Sequence, residues 1–456
     1  MSENKRLLEF ERLEQEFHDL ISKKDLKSAR ELLISLNEID IADLIDDMDP
    51  VNGAVLYRML PKDVAAEVFQ YFDAEQQQAI INASTDTEIK DILDELNMDD
   101  MIDMLEEMPA TVVNRILKNT SKDERDLINQ FLKYPEDSAG SIMTIEYVSL
   151  KKEMTVKEAL EKIKREGIDK ETIYTLYVTD EKRRLEGILS LRELIVAPSD
   201  AIVADLMESD VIYAHTNDDR EEVATIFKKY GFKALPIVDN ERRIVGIVTV
   251  DDILDVMEEE TTEDFQKMAG TTPNEAPYLL TSPFQLAKHR IPWLLVLMIS
   301  STITQKIINN YEHFLSSIPF LSGFIPMLMD TGGNSGSQSS TLVIRGMAVG
   351  DIRGRDWFKV LWKELRVALI CGVILAIVNY FKVIYFDGVS AEVALTVSCT
   401  LVVSVTAAKL VGGLLPIGAA ALKLDPAIMA SPLITTIADA TSLTAYFIFA
   451  QSLINY

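Results

Sequence analysis

The chain has 456 residues, enough for about three domains, and its formal net charge of −27 is very unevenly distributed. Residues 1–283 hold 33 basic and 63 acidic side chains, whereas residues 284–456 hold 12 and 9 and are rich in apolar runs. An acidic surface repels nucleic acid and attracts cations, so nucleic acid is excluded as a partner, and two cysteines within apolar runs exclude a disulfide framework.

Residues 1–133 are predicted to form an acidic, all-α N-terminal domain. Apolar residues recur at helical spacing, for example at Val64 and Val68. The sequence ADLIDDMDP, which begins at Ala42, resembles MIDMLEEMP, which begins at Met101, 59 residues later. Such an internal repeat predicts paired helices stacked into a short superhelix.

Acidic side chains form two runs on these helices, one of Asp43, Asp46, Asp47 and Asp49 and one of Asp99, Asp100, Asp103, Glu106 and Glu107. A solvated helix face explains any one of them well. A functional interpretation becomes stronger where such a face meets another acidic face, because the combined carboxylates then attract cations.

Residues 134–257 contain a second internal repeat, with Gly187 and Gly246 lying 59 residues apart. Each copy has a short strand, a helix, a Val-rich strand, a charged turn, a Gly-Ile-hydroxyl strand and a further helix. This α/β arrangement resembles a tandem pair of CBS motifs. The resemblance implies a regulatory domain that binds adenosyl nucleotides or ions and changes shape.

The two CBS copies differ at the positions that often hold ribose. The second copy has Gly246, Thr249 and Asp252, whereas the first has Ser190 and Glu193. The resemblance therefore implies one nucleotide site, at Thr249 and Asp252, that would take ATP. A structural CBS pair without any ligand is an equally good interpretation.

Residues 258–283 are predicted to connect the CBS pair to the apolar part, by way of a helix that starts before them. Like charges at helical spacing repel by roughly a few tenths of a kcal/mol for each pair, so we expect a cation to relieve the crowding. Pro273 and Pro277 end the segment. The crowded side chains are Asp251, Asp252, Asp255, Glu258, Glu259, Glu260, Glu263 and Asp264.

Residues 284–456 are predicted to form a polytopic α-helical membrane domain, because their apolar runs are near or above the roughly 20 residues that a spanning helix needs. Basic residues are concentrated before the first span, between the second and third, and between the fourth and fifth. The positive-inside rule therefore places the N-terminus in the cytoplasm and the C-terminus outside. The predicted spans are 291–309, 318–348, 365–381, 392–421 and 427–451.

The second predicted span contains the sequence PMLMDTGGNSGSQSSTLVIRG at residues 326–346. Its glycines allow unusual backbone angles, so we expect this span to be broken. Small residues also allow membrane helices to pack closely, and for the Gly and Ser residues this alternative is equally good. Asp330 and Asn334 favour a pore over simple packing.

Asp439 lies within the long apolar run of the fifth predicted span. A carboxylate there costs about 2.5–3.5 kcal/mol on insertion scales, so it is a candidate functional residue. The alternative is a structural carboxylate that bonds to Thr435, Thr436 or Asn334. We expect no fixed cationic partner for Asp439, and a carboxylate without one is suited to a mobile cation.

The available ligands are carboxylate, carbonyl and hydroxyl oxygens, and the four histidines are scattered. Oxygen ligands suit hard cations and speak against zinc, copper or nickel. Magnesium keeps several of its waters, so one or two carboxylates with polar oxygens around a hydrated ion suit it. Calcium and manganese satisfy the same ligand argument.

Nearly the whole chain resembles the MgtE family of magnesium channels, through its domain order and the sequences TGGNSGSQSSTLVIRG and DPAIMASPLITTIAD. The resemblance implies a homodimer with a pore on its symmetry axis. Hydrated Mg²⁺ would bind at Asp439, with Asn334 and the backbone near Thr435 and Ser442, and Asp330 would add a carboxylate near the mouth. The helix around Asp251–Gly270 would be the plug that closes the pore.

The resemblance also implies a set of carboxylates that bind regulatory Mg²⁺ between the N-terminal domain, the CBS pair and the plug helix. The implied function is a magnesium-selective channel that imports Mg²⁺ across the cytoplasmic membrane and is closed by cytosolic Mg²⁺. Those carboxylates are Asp94, Asp99, Asp103, Asp251, Asp252, Asp255, Glu258, Glu259 and Glu263, with Asp425 facing the plug.

Two other functions agree with the sequence. One is a transporter that couples divalent metal movement to a second cation, with Asp439 as a relay. The other is a membrane-anchored sensor of magnesium or nucleotide that transports nothing. An enzyme is not expected, because the sequence has no nucleophile–base pair, P-loop or dinucleotide-binding fingerprint.

Overall fold

The computed structural model describes residues 3–454 with the exception of 24, 47, 49, 95, 275–277, 280 and 430. The chain divides into two compact units, residues 1–257 and residues 258–456. We describe each unit by itself.

The first unit begins with short helices, of which each contacts the next but one from α3 to α10. Side chains of Asp25, Asp73, Thr85 and Ser121 accept hydrogen bonds at helix N-termini, which explains why the helices begin there. The all-α prediction is confirmed. The helices are α1 (Glu3–Ser22), α2 (Leu26–Ile34), α3 (Glu38–Asp46), α4 (Pro50–Tyr57), α5 (Lys62–Phe69), α6 (Ala74–Ala83), α7 (Asp86–Leu93), α8 (Met98–Glu107), α9 (Ala110–Asn119) and α10 (Lys122–Phe131).

The first CBS copy contains a three-stranded sheet of order β1-β2-β3, in which β1 and β2 are parallel and β2 and β3 antiparallel. At Gly187 a Cβ would lie 3.0 Å from the Glu208 carbonyl oxygen, so this strand needs a glycine. The elements are β1 (Tyr147–Leu150), α11 (Val156–Glu166), β2 (Thr172–Thr179), β3 (Leu185–Ser190), α12 (Leu191–Val196) and α13 (Val203–Leu206).

The second CBS copy repeats this topology in a sheet of order β4-β5-β6. The predicted α/β repeat is therefore confirmed. Its last helix, α15, runs without a break across the boundary between the two units. The elements are β4 (Ala214–His215), α14 (Arg220–Tyr230), β5 (Ala234–Val238), β6 (Ile244–Thr249) and α15 (Val250–Met268).

The second unit is built from long helices around α20, which contacts α18, α19 and α21, while α16 packs against α21. Ser282 caps α16 and Pro283 is its first residue. Short 3₁₀ turns at Pro319–Phe324, Gly354–Asp356 and Pro426–Met429 connect the helices. These are α16 (Pro283–Asn310), α17 (Glu312–Ser317), α18 (Ile325–Ala348), α19 (Trp357–Tyr385), α20 (Ala391–Ala421) and α21 (Ser431–Leu453).

Among the described residues, four helices are long and apolar enough to cross a membrane: Pro283–Asn310, Gly354–Tyr385, Ala391–Ala421 and Leu433–Leu453. They match four of the five predicted spans. Helix α18 has 24 residues and a length of about 36 Å, which is sufficient, but it is too polar to be identified as a span by composition. The chain is a multi-pass membrane protein.

The prediction that the second span is broken was wrong, because α18 is one continuous α-helix from Ile325 to Ala348. The glycines serve close packing instead. A Cβ on Gly412 of α20 would lie 2.2 Å from the carbonyl oxygen of Gly336, so the two backbones are in contact. Small residues allow this approach, which was the alternative interpretation of the sequence.

Candidate functional site

The first unit gathers carboxylates from four segments into one acidic cluster, and one of them, Glu146, directly precedes β1. Asn97 and Asp99 belong to the start of α8, Glu171 precedes β2, and Asp252 lies in the first turn of α15. The Asn97 side chain donates a hydrogen bond to Glu171, which joins the helical domain to the first CBS copy. The acidic cluster consists of Asp99, Asp100, Glu146, Glu171, Asp251 and Asp252.

Three carboxylates of the acidic cluster, Asp99, Asp100 and Glu171, have raised pKa values. Asp99 is only 6% exposed, and burial raises its pKa well above the usual value, with further contributions from Asp252, Asp100 and Glu171. Burial, followed by neighbouring carboxylates, raises the pKa of Asp100 to about 6 and that of Glu171 to about 7. Asp99 Oδ1 is buried without a hydrogen-bond partner. The cluster therefore has a deficit of positive charge.

Thr249 and Asp252, which the CBS resemblance assigns to ribose binding, bond to each other in the structure. Thr249 Oγ1 donates to the Asp252 carboxylate at 2.6 Å, and Asp252 accepts from the Thr249 backbone N–H at 3.1 Å. The bond from the Thr249 N–H to Asp252 is one half of a capping box at the start of α15. Ser190 and Glu193 form the complete box at α12. The hydroxyl–x–x–acid pattern is therefore explained without a nucleotide.

Other predicted regulatory residues lie outside the acidic cluster as the structure describes it. Asp94 is the exposed C-cap residue of α7, and Asp103 is exposed on α8. Asp255, Glu258 and Glu259 are exposed on α15. No three carboxylate, histidine or cysteine side chains among the described residues are grouped closely enough to hold a metal ion directly.

The C-terminal end of α15 carries a fixed cation that sequence reasoning missed. Lys267 forms ion pairs with Glu263, one turn earlier, and with Asp425 at 2.7 Å, in the connection between α20 and α21. Asp425 therefore contacts α15 through Lys267. Burial alone would lower the pKa of Lys267, but its hydrogen bonds to Asp425 and Glu263 raise it. Burial and the Asp425 charge raise the pKa of Asp264.

Polar contacts hold the end of α15 to the beginning of the membrane helices. The Gln266 side chain exchanges hydrogen bonds with the backbone of Asn274, at 2.9 and 2.7 Å, and the Thr272 N–H donates to the His289 carbonyl at 3.0 Å. A lysine four residues after a glutamate, in the last turn of an acidic helix, was the available signal for the Lys267 contact.

Helix α18 presents a polar stripe on its exposed face. Asp330, Asn334, Gln338 and Thr341 follow one another at intervals of three or four residues and are all exposed in the single chain. The Asn334 amide donates to Asp330 Oδ1 at 3.0 Å. The opposite face, with Gly332, is buried against α20 and α21.

Asp439 lies beside an open cavity of about 480 Å³ between α16 and α21. The cavity is also lined by Thr435 and Thr436, one turn earlier on the same helix. The charged neighbour of Asp439 is Asp330, another carboxylate. Ser442 lies elsewhere, because its hydroxyl is buried between helices, where it bonds to Ser404 and to the Ala438 carbonyl.

Lys409, a basic residue within the apolar run of α20, bonds to groups other than Asp439. Its ammonium is buried and lies 3.4 Å from both the Ser335 carbonyl oxygen and Ser339 Oγ. Ser339 donates in turn to Glu364 at 2.6 Å. Lys409 thus takes part in a polar contact that joins α18, α19 and α20, and its ammonium group bonds within that contact.

Family models match most of the chain. Residues 325–449 match the divalent cation transporter model MgtE, residues 36–137 the MgtE intracellular N domain, and residues 139–200 and 203–259 the CBS domain.

Similar proteins include the magnesium transporter MgtE of Thermus thermophilus, which is 38% identical over 449 residues, 98% of this chain and 99% of the relative. The Bacillus subtilis transporter of the same name is 32% identical, and the match covers 91% of this chain and 94% of the relative.

Two solved structures cover the soluble part. One is the soluble part of a magnesium transporter, with a TM-score of 0.51 and 30% identity. The match covers 55% of this chain and 99% of the solved chain. The other is the cytosolic domain of the Mg²⁺ channel MgtE in complex with ATP, with a TM-score of 0.50 and 39% identity. The match covers 53% of this chain and 98% of the solved chain.

Proposed function

Because this chain belongs to the MgtE family of magnesium transporters, we propose that it is a homodimeric channel that imports Mg²⁺ across the cytoplasmic membrane. The supporting observation is the polar stripe of α18. Asp330, Asn334 and Gln338 are exposed in the single chain, on a helix packed among membrane-spanning ones. Lipid would not tolerate such a face, whereas a water-filled path at the contact with a second copy would.

In this proposal Asp439 attracts the ion and keeps it hydrated. Its charged neighbour Asp330 adds to the negative potential, so a divalent cation is favoured over a monovalent one. Thr435 and Asn334 supply neutral oxygens to the water shell. Ser442 contributes at most its backbone, since its hydroxyl is buried in a helix contact.

Gating by cytosolic Mg²⁺ is the second part of the proposal. The acidic cluster around Asp99 and Asp252 has several carboxylates and an unsatisfied buried oxygen, so hydrated Mg²⁺ would relieve the repulsion there. When the ion leaves, repulsion favours separation of the helical domain from the CBS pair. A shift from mostly open to mostly closed takes about 5.5 kcal/mol, which several weak sites can supply together.

ATP binding at the CBS pair is a separate proposal, supported by the ATP-bound cytosolic domain of a relative. Here the ribose would share Asp252 with the cap hydrogen bonds from Thr249. Calorimetric titration of the full-length protein with ATP tests it, and Asp252→Asn should weaken binding. Heat equal to that of buffer dilution would contradict an ATP site.

The experiment for transport is Mg²⁺ uptake into liposomes that contain the purified protein, with wild type beside Asp439→Asn. The substitution keeps the size of the side chain and removes its charge. We expect the variant to lose most of the flux. Asp387→Asn is the matched control, because that carboxylate pairs with Lys382 outside the cavity and should leave the flux unchanged.

The same liposomes separate a channel from the alternatives. Flux that follows the Mg²⁺ gradient and the voltage, and does not change with pH or sodium, would support a channel over coupled transport. If wild type carries no flux although its soluble domains bind Mg²⁺, the sensor interpretation replaces the channel. Equal flux through wild type and Asp439→Asn would contradict the assigned pore residue.

A further inference from the structure

Helix α16 has a polar face that the proposed function does not use. Ser301, Gln305 and Asn309 are spaced four residues apart, which places them on one side of the helix. Together with Thr304 they line the cavity that also contains Asp439. Other parts of α16 expose apolar side chains, for example Leu295 and Ile299, as a lipid-facing helix does. Ser301, Gln305 and Asn309 thus form a polar row on the side of α16 that lines the cavity.

The orientation of α16 is fixed by its contact with α21. Ser300 Oγ lies 3.3 Å from Thr436 Oγ1, and Thr304 is buried at this contact. Thr436 is three residues before Asp439 on the same face of α21. The helix contact that holds α16 in place therefore also holds Gln305 and Asn309 on the wall of the cavity that contains Asp439.

The cavity is large enough for a magnesium ion with its water shell. Mg²⁺ takes six octahedral ligands, and six waters occupy about 180 Å³ at roughly 30 Å³ each. The cavity has a volume of about 480 Å³. Side chains on its wall would then contact the bound waters rather than the ion.

The chemistry of these side chains suits such a shell. Waters bound to a cation point their hydrogens outward, so they donate to acceptors around them. Gln305 and Asn309 offer amide oxygens, and Ser301 and Thr304 offer hydroxyl oxygens. Asp439 supplies the charge, and these groups supply fixed neutral acceptors. Thr435 and Thr436 of α21 also line the cavity, and its apolar lining residues are Leu297, Ile308 and Met329.

We propose that α16 forms a wall of the cation site and that Gln305 and Asn309 determine its specificity by contacting the water shell of the hydrated ion. This inference rests on the proposed function, since it assumes that the ion passes Asp439. Mg²⁺ holds a rigid octahedral shell, whereas Ca²⁺ takes six to eight ligands in flexible geometry. Acceptors at fixed positions on a helix therefore favour the rigid shell.

The test measures Mg²⁺ and Ca²⁺ uptake into liposomes that hold full-length wild type, Gln305→Leu or Asn309→Leu. We expect each variant to lower the ratio of Mg²⁺ to Ca²⁺ flux about tenfold, because an acceptor is replaced by an apolar group of similar size. Gln305→Asn keeps an amide and should retain part of the selectivity. Thr302→Val is the control, since its hydroxyl bonds to the Ile299 carbonyl within α16 and lies outside the cavity.

The outcomes distinguish this inference from the proposed function. If Asp439→Asn abolishes flux while both leucine variants keep the wild-type ratio, α16 has no role in specificity and the channel proposal stands. A fall in both fluxes by the same factor also overturns the specificity role. If Asp439→Asn conducts like wild type, the proposed site itself fails. Melting temperature and the amount of reconstituted protein are measured for every variant, and Gln305→Asn provides the decision if a leucine variant does not fold.

Discussion

The two ends of helix α15 are both acidic, but they differ in how the negative charge is balanced. At the N-terminal end, Asp252 lies among carboxylates, and each charged neighbour that affects Asp100 and Glu171 is another acid. At the C-terminal end, Lys267 lies between Glu263 and Asp425 and pairs with both.

This difference indicates which end can respond to its surroundings. A lysine is always present and always charged at physiological pH, so the contact it forms does not depend on free Mg²⁺. A cluster of carboxylates without such a cation depends on protons or metal ions from solution. We therefore expect the cluster around Asp99 to respond to Mg²⁺ and the Lys267 contact to be constant.

The largest effect is expected for Lys267→Met, which leaves Glu263 and Asp425 partly buried without their cation. The local opening free energy at the end of α15 should fall by about 2 kcal/mol, because two charged hydrogen bonds are lost. Hydrogen exchange of amides in residues 263–274 measures this change. Added Mg²⁺ should restore protection in the variant but have little effect on wild type there. Unchanged exchange would contradict a stabilising role for Lys267.

A smaller effect of opposite sign is expected for Asp99→Asn. The substitution removes a buried charge that neighbouring carboxylates repel, and Asn keeps the shape. Without divalent ions, the first unit should gain about 1 kcal/mol, which corresponds to roughly 2–4 °C in melting temperature. The additional stabilisation by Mg²⁺ should also be smaller than in wild type. A decrease in melting temperature would show that Asp99 makes a favourable contact as a carboxylate.

The acidic cluster should also make stability depend on pH. Folding raises the pKa of Asp100 to about 6 and that of Glu171 to about 7, so the folded state binds more protons than the unfolded state between about pH 4 and 7. Without Mg²⁺, melting temperature should therefore rise as the pH falls from 8 to about 5. With saturating Mg²⁺ this dependence should weaken. A melting temperature that is constant over this range would contradict the cluster's electrostatics.

The smallest effect is expected for Asp94→Asn, at an exposed C-cap position outside the acidic cluster. Surface substitutions of this kind usually change stability by less than about 0.5 kcal/mol. Titration of melting temperature with Mg²⁺ should give the wild-type midpoint. A clear shift of the midpoint would instead identify Asp94 as a regulatory ligand, as the family resemblance implied.

The fold followed from the sequence wherever periodicity was strong. Helical spacing, the repeated CBS pattern and the apolar runs predicted the elements, because these signals depend on local spacing and burial. The broken second span was wrong for a specific reason. In the sequence, a glycine that bends a helix cannot be distinguished from one that lets another helix approach. For Gly336 the deciding residue is its contact partner Gly412, which is 76 residues away.

The candidate site was predicted less completely. Asp439, Asn334 and Asp330 are conspicuous as polar groups within apolar sequence, and these carry the channel proposal. Gln305 and Asn309 lie near the end of the first span, where polar residues are ordinary, so only the packing of α16 on α21 draws attention to them. The ion pairs of Lys267 were not predicted for two reasons. Acidic residues surround it in the sequence, and its second partner, Asp425, is distant along the chain.

The backbone contact between Gly336 and Gly412 limits how the membrane helices can move. A Cβ on Gly412 would meet a carbonyl oxygen at 2.2 Å, so the two backbones touch and α18 has no room to move closer to α20 at this point. These two helices should therefore travel as one rigid pair during any opening of the path. The change in width must come from helices that pack more loosely, and a spin-label pair on α18 and α20 should report one invariant distance in every state.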